Sequence, residues 1–369
     1  MKKKIQLSHR SSCVLVLLLL YFNESIMFRE MFSATVRGIF TIACVIAACV
    51  FFILKKGAQS CRILLNKGSF QLYLALLVCI GLCILFNGIN ATFDIYGICI
   101  MTVSLLVVNI IDQNVFYQAF VDVMVFLAIA SVIIFLGYHI LPRSLFDIFP
   151  NYYWRGGTTL LKNCYLSVLQ VSVQNFRNFG IFYEPGYYAV FLLWALVLAL
   201  FKQDTEIWKI ISLFLALATT LSTGGYIGAV MILLTILFFK NNMSAKKKKK
   251  IIGIAVFLVI ILIVFFYYNP ATYQFLTDKL TEVSVGMSVD SQGEGSGYER
   301  WRSLIYALEA FVENPIFGIG YTGWTEKFSG VIGTLTPLNW FGLRGLIYGL
   351  LMNFFYLRMA ITKKQNGTI

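Results

Sequence analysis

Charged residues are scarce in this chain of 369 residues: lysine, arginine, aspartate and glutamate make up 13% of it, against 59% hydrophobic residues. One soluble core cannot hide that much apolar surface, so a soluble globular protein is excluded. The period-two alternation of a transmembrane barrel is also missing. The apolar runs instead approach the about 17 to 25 residues that a membrane-spanning helix needs. The composition therefore indicates an all-α, polytopic membrane protein.

Ten apolar segments qualify as spans, and we treat residues 1–369 as one transmembrane domain. The first is interpreted as an uncleaved span rather than a signal peptide, because no small-residue cleavage site follows it. The ten segments are 12–28, 35–54, 70–87, 91–111, 119–141, 186–201, 208–222, 224–239, 251–268 and 341–357. An even number of spans places both termini on the same side of the membrane.

Basic residues indicate which side that is. The lysines at 2–4, the lysine run 246–250 and the tail lysines at 363–364 all flank spans on one side, which the positive-inside rule makes cytoplasmic. We therefore expect an inner (cytoplasmic) membrane protein with both termini inside and two large outer loops, 142–185 and 269–340. Cys164 is the cysteine that this topology places outside. The net charge of +13 then reflects topology and contact with anionic membrane lipids, and no nucleic-acid partner is expected.

Motifs for nucleotides and metals are absent from the sequence. It contains neither Gly-x-x-x-x-Gly-Lys nor Asp-x-Asp, and no cytoplasmic loop is long enough for a nucleotide-binding domain. We therefore expect no cofactor and no metal site. Any bond that the protein forms must draw its energy from the substrate itself.

The second outer loop contains a helix pattern at about 300–313. Apolar residues from Trp301 to Val312 recur at the i, i+3, i+4, i+7 spacing of one helix face, and charged residues occupy another. Asn314-Pro315 ends the pattern, and a turn rich in glycine follows. Such a helix is too short to span, so it would lie in the outer interface or insert back into the bundle.

Three separated motifs carry a resemblance to a known family. Arg177 precedes Phe182-x-Glu184-Pro185-Gly186, Ser222-Thr223-Gly224-Gly225 forms a hairpin between spans, and Arg300 precedes Asn314-Pro315-x-Phe317-Gly318-x-Gly320. In order, spacing and sidedness they resemble the O-antigen ligase and polymerase superfamily, of the Wzy type. The resemblance covers about 170–345.

The resemblance implies a GT-C-like membrane glycosyltransferase. Family members join sugar repeat units carried on polyprenyl diphosphate, on the outer face of the membrane, without nucleotide or metal. For this chain it implies polymerisation of a polyprenyl-diphosphate-linked oligosaccharide into a surface polysaccharide such as capsule or O-antigen. It also implies a chain-length regulator and a flippase as possible partners.

The chemistry of such a reaction points to particular residues. A departing diphosphate gains charge, and arginine binds phosphate oxygens bidentately without losing its proton, so Arg177 and Arg300 are the first catalytic candidates. Glu184, at a helix start where the dipole favours an anion, is the candidate base for the acceptor hydroxyl. Further candidates for substrate binding are Arg302, Arg155, Arg344, Tyr183 and Trp301, and rival bases are Asp278, Asp290, Glu294 and Glu299.

Two other functions stay open at this point. A ligase would transfer finished glycan to another acceptor, but relatives of that type usually carry a catalytic histidine in the second outer loop, and this chain has only His9 and His139. A lipid-linked sugar flippase or transporter would need polar residues deep in the spans, and these spans offer few.

Overall fold

The computed structural model describes residues 3–4, 7–56, 61–62, 67–154, 159–171, 177–201, 205–239, 253, 256, 296–328 and 339–361. Its helices are α1 (His9–Glu24), α2 (Ile26–Met31), α3 (Ala34–Lys56), α4 (Lys67–Asn87), α5 (Ala91–Ile110), α6 (Gln113–Ile140), α7 (Pro185–Phe201), α8 (Ile207–Thr219), α9 (Thr223–Phe239), α10 (Ser296–Glu313), α11 (Gly320–Lys327) and α12 (Asn339–Ile361). Its strands are β1 (Lys3–Lys4), β2 (Cys61–Arg62), β3 (Asn151–Trp154), β4 (Thr159–Asn163) and β5 (Val168–Gln170).

The chain separates into two compact units. The first contains Met1–Ile63 and Val107–Tyr273, and the second contains Leu64–Leu106 and Gln274–Ile369. Most residues are helical, as the sequence predicts.

Among the described residues, three helices are long and apolar enough to cross a membrane: Gly68–Asn87 within α4, then α5 and α6. Shorter apolar helices cover Ala34–Ala48, Pro185–Leu200, Ile207–Thr219 and Thr223–Thr235, and the expected span 251–268 lies outside the described residues apart from 253 and 256. A helical membrane protein is thus supported, whereas ten spans and a GT-C-like arrangement stay predictions.

Helix α6 forms the centre of the first unit, where it packs against α1, α7 and α8. Asp112 starts this helix as an N-cap, because its Oδ1 accepts a 2.9 Å hydrogen bond from the Asn114 amide. Met124 and Leu127 are fully buried in the core that these four helices share. Other apolar residues of α6, such as Ile133 at 65% exposed, face outward, so the helix is apolar on all sides and its sequence shows no polar face.

The expected first span, 12–28, is divided at Ser25. Helix α1 ends at Glu24, and the Ser25 side chain caps α2 by accepting a 3.3 Å hydrogen bond from the Phe28 amide. Ser25 itself is extended and pairs with Phe182 in an isolated β-bridge. The corner between α1 and α2 therefore lies against the segment that leads into α7.

The first outer loop contains a small sheet that the sequence does not predict. Strands β3, β4 and β5 form an antiparallel meander, in the order β3-β4-β5. Each strand has only three to five residues, which is too short for an alternating pattern to emerge. Leu161, Val168 and Phe179 are buried beneath the sheet together with Ile26, so the sheet fastens the loop to the α1–α2 corner.

In the second unit, α12 packs against α10 and α4, and α11 contacts both α4 and α12. Helix α10 lies where the sequence predicts an amphipathic helix, but the face that it buries consists of small residues. Ala307 and Ala310 are buried against α12, where Gly342 approaches the Ala307 backbone, whereas Leu308 and Val312 are exposed. Close helix packing selects small side chains on the buried face, whereas Leu304, Ile305 and Phe311 of the predicted apolar stripe are only partly buried.

Candidate functional site

Residues 177–184 are held by backbone contacts from two sides. The Val168 amide on β5 donates to the Gly180 carbonyl at 2.7 Å, and the Ile26 amide on α2 donates to the Ile181 carbonyl at 3.0 Å. The side chains of Ile181 and Phe182 are buried. The segment between Arg177 and Glu184 is therefore fixed by the sheet and by the α1–α2 corner, although it is neither helix nor strand.

Asn178 connects this segment to the core of the bundle. Its buried side-chain amide donates to Ser131 Oγ at 3.1 Å and to Thr219 Oγ1 at 3.0 Å, and its Oδ1 accepts from the Gly180 amide at 2.9 Å. Ser131 also lies 2.9 Å from the hydroxyl of Tyr188. Through this network, α6, α7 and α8 hold the segment that carries Arg177.

Arg177 lies at the hairpin between α8 and α9. Its Nε donates a 3.1 Å hydrogen bond to the Thr220 carbonyl, and its positive charge lies close enough to the Tyr226 hydroxyl to interact with it electrostatically. That hydroxyl donates to the Ala218 carbonyl at 2.7 Å. Ser222 caps α9 by accepting from the Gly225 amide at 3.3 Å. The fold thus brings together two of the motifs, the Arg177 segment and the 222–225 hairpin, and leaves the Arg177 side chain partly exposed.

Glu184 lies directly before Pro185, the first residue of α7, in the position that a helix N-cap occupies. Its carbonyl accepts the Tyr188 amide at 3.0 Å. Glu184 thus lies at the helix start where the sequence predicts it, and its role as a base stays a prediction.

Tyr183, one of the predicted substrate contacts, is covered by a cation from helix α2. The guanidinium carbon of Arg29 lies 3.8 Å from the centroid of the Tyr183 ring. Burial raises the pKa of the Tyr183 hydroxyl above its ordinary value, while the nearby Arg29 opposes that shift. Arg29 is exposed, so this end of the first unit presents a cation stacked on an aromatic ring.

Glu24 joins the same end of the unit. Its carboxylate accepts a hydrogen bond from the Tyr187 hydroxyl and lies close enough to Arg29 and Arg37 to interact with both charges. Arg37 is buried and donates to the Asn23 carbonyl at 3.0 Å. Glu24, Arg29 and Arg37 are not among the site residues that the sequence predicts. The signal in the sequence that points to them is an ionisable residue inside an apolar segment, such as Glu24 in 12–28.

Arg344 lies in the second unit and is committed to a buried ion pair. Its side chain is 3% exposed and bonds to Asp94, whose other oxygen accepts the Asn90 amide at 2.8 Å. The Arg344 guanidinium carbon also lies 4.9 Å from the centroid of the Tyr321 ring. These contacts satisfy the guanidinium within the protein, so they favour a structural role over the substrate contact that the sequence suggested.

The segment 314–320 docks on the start of α12 through its backbone. The Leu346 amide donates to the Pro315 carbonyl at 2.7 Å, and the Ile319 amide donates to the Gly342 carbonyl at 3.0 Å. Gly318 has a φ of +69°, and a Cβ there would lie 2.5 Å from the Arg344 backbone nitrogen. The glycines of this motif therefore permit backbone-to-backbone contact.

The remaining predicted residues are less defined. Arg302 is exposed on α10, with its guanidinium carbon 5.1 Å from the centroid of the Tyr306 ring. Glu299, Arg300 and Trp301 belong to the first half of α10, but their side chains fall outside the described part of the structure. Arg155 and the rival bases Asp278, Asp290 and Glu294 lie outside the described residues.

Comparison with known proteins gives one family. Residues 208–351 match the family model described as O-Antigen ligase. The match takes in α8, the 222–225 hairpin, α9, Arg300 and the 314–320 segment, and it begins after Arg177 and Glu184. No curated protein matches the chain.

Two of the three motifs that carry the resemblance, the 222–225 hairpin and Arg300 with the 314–320 segment, lie in the matched region. The match therefore confirms the similarity to the O-antigen ligase and polymerase superfamily, and it supports a membrane protein of O-antigen-related polysaccharide synthesis.

Proposed function

We propose that this protein polymerises polyprenyl-diphosphate-linked oligosaccharide repeat units into a surface polysaccharide on the outer face of the cytoplasmic membrane. The observation that carries the proposal is the 3.1 Å hydrogen bond from Arg177 to Thr220, because it joins the Arg177 segment to the α8–α9 hairpin of the matched family region. A partly exposed arginine held in this way presents a fixed cation. Such a cation suits a leaving group whose charge grows during the reaction.

In this mechanism the guanidinium groups of Arg177 and Arg300 bind the diphosphate of the donor. The planar fork of arginine binds two phosphate oxygens at once, and it keeps its charge throughout. Glu184 accepts the proton of the acceptor hydroxyl as that hydroxyl attacks the anomeric carbon. The glycosidic bond to the diphosphate then breaks, and polyprenyl diphosphate leaves with the bonding electrons.

The histidine content favours a polymerase over a ligase. The chain has two histidines, and neither is in the second outer loop, 269–340, where ligases of this family usually carry a catalytic one. His9 begins α1, and His139 lies in the last turn of α6 with its Nδ1 2.7 Å from the Phe135 carbonyl oxygen. The flippase alternative gains no support from the family match.

Substitution of Arg177 tests the mechanism. Arg177→Ala should reduce polymer formation on the order of a hundredfold, because a charge-assisted contact that strengthens in the transition state is lost. Arg177→Lys should restore only part of the activity, since the charge remains but the fork does not. The measurement is glycan chain length on gels, at matched amounts of membrane protein.

Arg143→Ala is the control for that experiment. Arg143 is an exposed arginine of the same outer loop, on the short 3₁₀ helix Arg143–Phe146, and it belongs to neither the 177–184 segment nor the α8–α9 hairpin. The Arg143→Ala variant should leave the glycan chain length unchanged. Normal chains in both Arg177→Ala and Arg300→Ala, at equal expression, would contradict the diphosphate-binding role.

Deletion of the gene separates the three functions. A polymerase deletion leaves single repeat units on lipid or surface acceptors, and long chains disappear. If long chains still form and accumulate on the carrier lipid, the protein is a ligase. If single units stay on the cytoplasmic leaflet, it is a transporter.

A further inference from the structure

Three potential metal ligands from two helices meet near the start of α1. His9 Nε2 lies 2.9 Å from Asp122 Oδ2, and Cys13 Sγ lies 3.6 Å from His9 Nε2. The three donor atoms all lie within 4.8 Å of one another. The side chains of His9 and Asp122 are 42% and 33% exposed, so an ion can reach them from solvent.

The spacing and chemistry of these donors fit a divalent transition metal. His9 and Cys13 are four residues apart on one helix, which places both side chains on the same face. In a tetrahedral zinc site, bonds of about 2.0 to 2.3 Å put neighbouring nitrogen, oxygen and sulfur ligands about 3.3 to 3.6 Å apart. The His9–Cys13 separation already has that value, and the His9–Asp122 pair needs to open by a few tenths of an ångström.

A neighbouring lysine orients the carboxylate. Lys209, near the start of α8, donates to Asp122 Oδ1 at 2.7 Å, so Oδ2 is the oxygen directed at His9 and Cys13. Carboxylate ligands of metals are usually held in this way by a second hydrogen bond. Lys209 thereby supports Asp122 without occupying the ligand oxygen.

From this geometry we propose that His9, Cys13 and Asp122 bind a divalent transition metal of the zinc type, with water completing a four-coordinate site. The imidazole binds through Nε2 in its neutral form, and Cys13 binds as the thiolate, so its proton is released to solvent. Soft thiolate and imidazole ligands select zinc over magnesium or calcium. The ion would clamp the start of α1 to α6.

The site is independent of the proposed glycosyl transfer. His9 begins α1, whereas Glu24 and Ser25 at the other end of this helix contact the Tyr187 and Phe182 side of the candidate site. Sixteen helical residues at about 1.5 Å each separate the two ends by about 24 Å. The ion would therefore act on the stability of the bundle and not on the reacting sugar.

Cobalt spectroscopy on the purified full-length protein in detergent tests the site. Co²⁺ added at one equivalent should produce a thiolate-to-cobalt charge-transfer band, and added Zn²⁺ should bleach it. The band should vanish in Cys13→Ser and in His9→Ala and weaken strongly in Asp122→Asn. Cys44→Ser, which removes another partly buried free cysteine of the first unit, should keep the full band.

The outcomes are distinct. Absence of the band in the wild-type protein, or its persistence in Cys13→Ser, overturns the proposal. Loss of the band in Cys13→Ser with full retention of the band in His9→Ala would show that the Cys13 thiolate binds the metal without His9. That result would also overturn the proposal. Zn²⁺ should in addition raise the unfolding temperature of the wild-type protein but not that of Cys13→Ser, a readout that does not depend on enzymatic activity.

Discussion

Asn178 uses both ends of its side-chain amide, and the direction of each hydrogen bond is set by its partners. The hydroxyls of Ser131 and Thr219 donate to the carbonyls of Ala128 and Ala216 and accept from the Asn178 nitrogen. The Asn178 oxygen in turn accepts the Gly180 amide. A carboxylate at this position would place an acceptor beside both hydroxyls, which could donate to it only by giving up their bonds to Ala128 and Ala216.

Asn178→Asp should therefore destabilise the protein by about 2 kcal/mol or more, because a buried polar atom loses its partners and a charge is buried. The measurement is the unfolding temperature of the purified protein in detergent. Asn151→Asp, the same exchange at an exposed position that begins β3, should leave that temperature nearly unchanged. Equal stability of the two variants would show that the network is not required.

A second residue-scale prediction concerns Asp94 and Arg344, which are 2% and 3% exposed. Removal of one partner strands the other charge in the interior, so Asp94→Asn or Arg344→Met alone should each cost about 3 to 5 kcal/mol. The double variant should recover much of that loss, because no unpaired charge remains. A double-mutant cycle on unfolding temperature and membrane abundance measures the coupling.

The cycle also decides between the two roles of Arg344. If the double variant is stable and still makes long polysaccharide, Arg344 serves the fold. A stable double variant without polymer would return Arg344 to the substrate-binding residues.

At the scale of elements, a backbone junction interrupts α12. Gly345, six residues after the start of this helix, has a non-helical φ of +79°, and a Cβ there would lie 2.0 Å from the Ile316 carbonyl oxygen. The Leu346 amide bonds to the Pro315 carbonyl beside it. The 314–320 segment and the part of α12 around Gly345 thus fit together only where side chains are missing.

Gly345→Ala should cost about 3 kcal/mol, from left-handed backbone strain together with steric overlap at the Ile316 carbonyl. Gly97→Ala is the matched control, since a Cβ there meets nothing within 4 Å and α5 should gain up to about 1 kcal/mol of helix propensity. Unfolding temperatures of the two variants should move in opposite directions. A shift of the same sign and size in both would exclude the junction as the cause.

At the scale of the whole molecule, contacts within the first unit agree with the expected alternation of the spans. His9 and Lys209, near the starts of α1 and α8, both bond to Asp122 in the first half of α6, and the topology places the starts of these three helices inside. Ser25 pairs with Phe182, and both lie on the side expected outside. Each contact joins residues that the predicted topology places on the same side of the membrane.

Cysteine labelling of intact cells tests that orientation, but Cys164 is a poor probe for it. Its thiol is 5% exposed, and burial raises its pKa to about 11, so the reactive thiolate is scarce at neutral pH and becomes common only as pH approaches that value. Ile148, which is 80% exposed in the first outer loop, and Glu206, whose side chain is 61% exposed before α8, provide better positions.

A membrane-impermeant thiol reagent should label Ile148→Cys in intact cells and Glu206→Cys only after permeabilisation. The expectation follows from the basic residues that flank the spans, which place residue 148 outside and residue 206 inside. The reverse pattern would invert the topology and put Arg177 on the cytoplasmic side.

Several features of this protein follow from the sequence alone. Long apolar runs between 67 and 140 predict α4, α5 and α6, because a backbone in lipid must satisfy its hydrogen bonds within the helix. Asn314-Pro315 and the glycines after it predict the tight turn before α11. The three motifs predict the family that residues 208–351 match. All of these depend on residues that are close in the chain.

The tertiary structure alone decided which distant residues meet. Arg177 and Thr220 are 43 residues apart, and His9 and Asp122 are 113 apart, so no local pattern records either contact. The corner at Ser25 brings Glu24 and Arg29 to the candidate site, and the fold pairs Arg344 with Asp94, which is 250 residues away in the chain. Partners of charged groups are chosen by packing geometry, because a buried charge must find an opposite charge wherever the fold places one.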